Sequence, residues 1–133
     1  MSVVFIDTSA LFKAKRVFEK LIDQGYTLCI SPLVIYEFVK VIDELIIEEK
    51  NEKRRKLYER LRERLPSLVR DLEVKIIPHE LTYTELKKAY NIMHEKDVDI
   101  GDALIYLLLK RKGIQKILTY DDDWNRMDME VIR

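Results

Sequence analysis

Glycine, proline and cysteine are all scarce in this chain, at three, three and one among 133 residues. So few breakers argue against a low-complexity or disordered chain, and 47% hydrophobic with 36% charged residues leaves ample material for a core. The one cysteine, Cys29, can form no internal disulfide, which fits a reducing interior; inside a predicted strand it reads as a small buried hydrophobe. Long apolar runs are missing as well. The longest, Ala103 to Leu109, falls well below the roughly 20 residues that cross a bilayer, so no membrane span is expected. No basic leader precedes the first apolar run, so the expectation is no signal peptide and a cytoplasmic location. An excess of either charge is also absent. Lys+Arg and Asp+Glu are both 24, so any nucleic acid must be held by local patches. A length of this order predicts one domain over residues 1–133.

What the chain does contain is an alternation of strand and helix patterns. Val3 to Ile6 is a continuous apolar run, the pattern of a strand buried on both faces, and Asp7 closes it. Ser9 is placed to cap a helix running to about Asp23, which Gln24-Gly25 stops. Tyr26 to Ile30 predicts a second strand. Ser31-Pro32 then supplies a capping hydroxyl and a proline at the first helical position, opening a helix of roughly 16 residues with Glu37 near its start. Asn51 to Leu72 is dense in charge but keeps Leu57, Leu61, Leu65, Leu68 and Leu72 on one stripe. It predicts a charged helical arm that Pro66 splits or kinks. Val74 to Ile77 predicts a third strand, and Thr82 with Glu85 a capping box for a helix to about Glu95. Asp99 to Leu109 opens a further helix with a left-handed exit at Gly113. Lys116 to Thr119 is a strand running into Asp121-Asp122-Asp123-Trp124, and Glu130 to Ile132 is placed to add an edge strand.

Such alternation predicts an α/β fold of right-handed βαβ units, with a mostly parallel sheet of four or five strands and helices on both sides. Ligands of open parallel sheets sit beyond the carboxyl ends of the strands. Asp7 and Asp121 fall at such ends, and Glu37 and Asp102 are expected in the first turns of helices starting at that edge.

Each acid also has an ordinary reading. Asp7 could cap the first helix, Glu37 could be a boundary residue with its carboxylate in water, and Asp99 and Asp102 are spaced as an N-cap and its third helical residue. The run Asp121 to Asp123 could be a turn. As an ordered set they mean more. Two unit charges ~4 Å apart repel by about 4 kcal/mol at an effective dielectric of 20, so carboxylates that converge require a cation among them. Hard carboxylate oxygens suit Mg²⁺. His79 and His94 stand outside the set and read as surface residues.

Four short motifs in order carry a family resemblance: Asp7-Thr8-Ser9-Ala10-Leu11 after the first strand, Ser31-Pro32 with Glu37, Asp102-Ala103-Leu104-Ile105 opening a late helix, and Thr119-Tyr120-Asp121-Asp122-Asp123-Trp124 after the last main strand. Over essentially its whole length the chain resembles the PIN-domain family, in particular its short VapC-type toxin ribonucleases. The resemblance implies a Rossmann-like three-layer α/β/α fold, a Mg²⁺ or Mn²⁺ site and metal-dependent cleavage of RNA. Asp7, Glu37 and Asp102 then correspond to the family's acidic triad and Asp121 to its fourth acid. Asp99 is an additional carboxylate, Asp123 rivals Asp121, and Thr8 and Thr119 are the supporting hydroxyls. An antitoxin partner and a homodimer are further implications. The alternative is a PIN-like interaction module or subunit with little or no catalysis. A receiver domain, a haloacid-type phosphatase and a dinucleotide-binding unit are disfavoured, for want respectively of an Asp after the third strand, an Asp-x-Asp, and a G-x-G-x-x-G.

Overall fold

The computed structural model describes residues 2–133. Its central strand, β1 (Val3–Ile6), buries Val4, Phe5 and Ile6, as a run apolar on both faces requires. β1 pairs in parallel with β2 (Thr27–Ile30) on one side and β4 (Lys116–Leu118) on the other. β3 (Lys75–Ile76) and β5 (Glu130–Ile132) form the edges of a five-stranded sheet ordered β3-β2-β1-β4-β5, with every pairing parallel. The chain winds outward from β1 through β2 to β3, then returns to β4 on the far side of β1. That reversal opens a crevice at the carboxyl ends of β1 and β4, the usual ligand position of such sheets.

Five α-helices connect the strands: α1 (Lys15–Asp23), α2 (Pro32–Glu48), α3 (Glu52–Asp71), α4 (Tyr83–Lys96) and α5 (Ile100–Lys112). With this strand order, the right-handed rule for parallel crossovers puts α1 to α3 on one face of the sheet and α4 with α5 on the other, giving three layers. Phe18, Phe38, Ile42, Ile105 and Leu109 line the fully buried centre of these layers. Local signals define the helix ends. The Ser31 hydroxyl accepts from Val34 N–H at 3.3 Å, Asn51 caps α3 by accepting from Arg54 N–H at 3.1 Å, and Gly113 leaves α5 at φ 69°.

Several details depart from expectation. The first helix is broken: a 3₁₀ turn, Thr8–Phe12, precedes α1, and Ser9 lies inside that turn instead of capping a helix. Arg64 of α3 secures the break, its guanidinium donating to the Leu11 carbonyl at 3.0 Å and also to the Lys13 carbonyl. Pro66 does not split α3, which runs unbroken through it. The flanking Leu65 and Leu68 are buried, and Arg62 bonds Asp43 of α2 at 2.7 Å, so packing offsets the lost backbone bond. Leu57, at the start of the stripe, stays exposed. The capping box is half made: Thr82 accepts from Glu85 N–H, but the Glu85 side chain pairs with Arg111 of α5. Glu37 is the sixth residue of α2, in its second turn and not its first, because the helix begins at Pro32.

Trp124 is fully buried in the 3₁₀ turn Asp122–Arg126 that links β4 to β5. It anchors the segment that follows the aspartate run. Trp124→Ala is expected to destabilise the fold by about 3–5 kcal/mol in urea denaturation, the usual cost of emptying a large aromatic site.

Candidate active site

Asp7 is carried into the crevice by the β1–β4 ladder, its N–H donating to the Leu118 carbonyl at 3.0 Å. It precedes the 3₁₀ turn but its side chain caps nothing, so the helix-cap reading does not describe it. The carboxylate is only 4% exposed and accepts from the Thr119 hydroxyl at 2.7 Å. With its proton given to Asp7, Thr119 Oγ1 is left to accept from Asp121 N–H at 3.1 Å. Ser9 Oγ lies 3.2 Å from Thr119 Oγ1 and 3.5 Å from Asp7 Oδ2, and accepts from Tyr120 N–H at 2.9 Å. These contacts lock the loop after β4 onto the turn after β1. Thr119 thus bonds both Asp7 and the backbone of Asp121, Ser9 is an additional member found only in the fold, and Thr8 Oγ1 is buried without a hydrogen-bond partner.

The other acids arrive on helices. Asp102 is the third residue of α5 and is 6% exposed, while Asp99 is the N-cap, accepting from Asp102 N–H at 2.8 Å. One Asp99 oxygen is thus committed to the helix end, as the capping reading anticipates. Asp121 Oδ1 accepts from Asp123 N–H at 2.9 Å, an aspartate turn that folds the two carboxylates toward the same side. Asp102, Asp121 and Asp123 each place one carboxylate oxygen within 4.8 Å of the others. Asp123 also pairs with Arg126 at 2.9 Å. Asp7, Glu37 and Asp99 lie outside that tightest trio, yet near enough for their charges to act on Asp102.

The electrostatic cost falls on three of these groups, Asp7, Glu37 and Asp102. Burial first, then the charges of Asp99, Asp7, Asp121 and Glu37, push the Asp102 carboxyl up to about 8. Glu37 rises to about 7, through burial and then the charges of Asp7 and Asp99. Burial also raises Asp7, against the opposing Thr119 hydrogen bond. Meanwhile Glu37 Oε1 and Asp102 Oδ2 are buried with no hydrogen-bond partner. Buried oxygens of this kind, facing further carboxylates, fit a hard divalent cation, whose charge would relieve both the repulsion and the missing contacts.

Gly101 is a second member that the sequence did not mark. A Cβ there would stand 2.6 Å from Glu37 Oε1, so the absence of a side chain makes room for that carboxylate over the start of α5. No motif spacing reveals such a contact, since Glu37 and Gly101 meet only after α2 and α5 converge on the crevice.

An α/β domain with buried, cation-seeking carboxylates at the switch point of a parallel sheet defines a class suited to metal-assisted phosphate chemistry. The chain belongs to the PIN-domain family, whose model matches residues 4–130. It is 30% identical over 151 residues to Ribonuclease VapC6 of Methanocaldococcus jannaschii, covering 99% of this chain and 97% of the relative. Among solved structures it is similar in fold to PAE2754 from Pyrobaculum aerophilum, with a TM-score of 0.69 and 17% identity over 98% of this chain and 83% of that one. VapBC2 from Rickettsia felis, bound to a DNA fragment from its promoter, gives a TM-score of 0.64 at 15% identity, covering 98% and 97%. VapBC-5 from Mycobacterium tuberculosis, a member of the VapBC toxin-antitoxin systems, gives 0.62 at 17%, covering 100% and 99%.

Two outcomes test this geometry. Carboxyls raised to about 7 and 8 in the fold bind protons that the unfolded chain releases near pH 4, so the native state is favoured at low pH and loses that advantage as pH rises. In chelator the melting temperature is expected to fall between about pH 4 and 8 and to recover on adding Mg²⁺ at the upper end. A flat profile in chelator would contradict the clustering. Gly101→Ala is expected to keep the fold by circular dichroism while displacing the Glu37 carboxylate, weakening Mg²⁺ binding in calorimetry by about tenfold, as changes beside metal ligands commonly do.

Proposed function

We propose that this protein is a divalent-metal-dependent endoribonuclease and the toxin of a toxin-antitoxin pair. The observation that carries the catalytic reading is the pair of buried, unpartnered oxygens, Glu37 Oε1 and Asp102 Oδ2, inside the acid cluster of a PIN domain. The relative named a ribonuclease supports RNA as the substrate.

In this reading Asp102, Asp121 and Asp123, the tightest group, hold Mg²⁺ or Mn²⁺ together with Asp7 and Glu37, while Asp99, with one oxygen committed to the helix cap, stands at the margin of the site. When bound, such a cation supplies an activated water, polarises a phosphoryl oxygen and neutralises the charge on the leaving oxygen. The chain's own groups do the positioning. Thr119 fixes one oxygen of Asp7, Ser9 ties the two loops together, and the Asp99 cap orients the first turn of α5 so that Asp102 faces inward. No histidine is needed: His79 and His94 stay outside the acid set, and burial with the Arg111 charge keeps His79 below its ordinary range.

An antitoxin that covers the acidic crevice is the partner proposed, by analogy with the toxin-antitoxin systems among the structural neighbours. A homodimer is proposed too, and the exposed Val41 and Ile47 of α2 with Leu57 of α3 offer apolar surface for it. Among the described residues no helix is long and apolar enough to cross a membrane, which accords with the cytoplasmic location proposed.

Asp7→Asn is nearly isosteric and leaves Thr119 a carbonyl oxygen to bond. The variant is expected to retain its circular dichroism spectrum and to lose Mg²⁺ affinity and RNA cleavage by at least about 100-fold. Wild-type cleavage by Asp7→Asn would end the assignment and favour the interaction-module alternative.

A further inference from the structure

Helix α1 covers only part of its face of the sheet, leaving a cavity of about 390 Å³ between α1 and the ends of β4 and β5. Val17 and Leu21 of α1, Leu118 of β4 and Ile132 of β5 supply its apolar lining, and Tyr120 and Gln24 line it too. The volume falls in the ~300–1,000 Å³ range of small-molecule sites. Its charge is one-sided. Lys20 and Arg133 line it, no acidic side chain does, and the acids of α1, Glu19 and Asp23, line a separate cavity with Asp71 and Glu73.

The cavity adjoins the acid cluster through Tyr120. That residue precedes Asp121, and its N–H donates to Ser9, itself 3.5 Å from Asp7 Oδ2. Lys13 Nζ lies 4.3 Å from the centroid of the Tyr120 ring. Neither Lys13 nor Lys20 forms a salt bridge among the described residues, whereas Arg133, also at the rim, is already paired with Asp122 at 3.0 Å. A polyanion drawn to an acidic centre needs cations beside it, and two free lysines flanking an aromatic ring provide them. The exposed Lys13 contact is weak enough to exchange for a phosphate.

We propose that this cleft is the subsite for one nucleotide of single-stranded RNA next to the scissile bond. Its base stacks on Tyr120 over the apolar lining, Gln24 meets the base edge, and Lys13 and Lys20 hold the flanking phosphates. The assignment rests on the ribonuclease reading above and adds to it where the substrate is gripped. A stacked, unpaired base in a pocket one residue from the reaction centre selects single strands over duplex, whose bases are not available for insertion.

Fluorescence anisotropy with a short unstructured RNA oligonucleotide, in an Asp102→Asn background to prevent turnover, tests it. Tyr120→Ala is expected to weaken binding about 5- to 100-fold, the range for loss of one stacked base, and Tyr120→Phe to restore it. Lys13→Ala and Lys20→Glu are each expected to lower the slope of log affinity against log salt by about 0.7, one phosphate contact apiece. Lys88→Glu, exposed on α4, is the control and should change neither. Thermal melts of each variant guard against loss of fold. If the otherwise unsubstituted protein cleaves RNA while Tyr120→Ala and Lys20→Glu bind as tightly as their parent, the subsite is wrong and the nuclease reading stands. Tighter binding of duplex than of single strand also overturns it. If the unsubstituted protein neither binds nor cleaves RNA, both fall together.

Discussion

Six carboxylates, Asp7, Glu37, Asp99, Asp102, Asp121 and Asp123, crowded at the mouth of one parallel sheet are the constraint on which the rest of this structure turns. Desolvation and the neighbouring negative charges oppose the ionisation of Asp7, Glu37 and Asp102, and push Asp102 and Glu37 to about 8 and 7. A fold that sought only stability would not retain this arrangement, because apolar residues of like volume would pack the crevice without penalty. The strain is local, however. It is surrounded by a continuous core in which Phe5, Ile6, Phe38, Ile105 and Leu118 are buried, so the scaffold tolerates an unfavourable centre.

The scaffold also explains how rigidly the acids are held. Asp7 extends the β1–β4 ladder, Asp102 sits in a capped helix start, and Asp121 belongs to a turn whose far end is pinned by the buried Trp124. Ser9 and Thr119 join two of these three supports by hydroxyl bonds that span the whole chain in sequence. Glu37 differs. It comes from the second turn of α2 and crosses to the start of α5, where Gly101 leaves it space. The same crevice that concentrates negative charge has a cation-flanked, apolar neighbour on its α1 side, so one loop, Thr119 to Asp123, faces both.

Most of the fold was legible because its signals are local. Apolar runs without alternation mark strands buried on two faces, and Ser31-Pro32, Thr82 and Gly113 mark helix ends by their own chemistry. Where local reasoning failed, a distant contact had decided. Pro66 leaves α3 unbroken because Leu65, Leu68 and Arg62 pack and bond to the rest of the molecule. Ser9 loses its capping role because the turn after β1 is held by Arg64 from one side and by Thr119 from the other. Glu85 makes half a capping box because Arg111 competes for its carboxylate.

Residue types and their order along the chain were enough to determine that acids end strands and open helices at one edge of a parallel sheet, since strand polarity alone dictates which edge that is. Tertiary structure alone decided how those acids meet. It brought Asp102, Asp121 and Asp123 into the tightest group, committed an oxygen of Asp99 to a helix cap, and set Glu37 over Gly101. It also formed the cleft beside Tyr120, whose walls come from α1, β4 and β5. Spacing along a chain encodes direction and periodicity, but distances between side chains far apart in sequence exist only once helices and strands have packed.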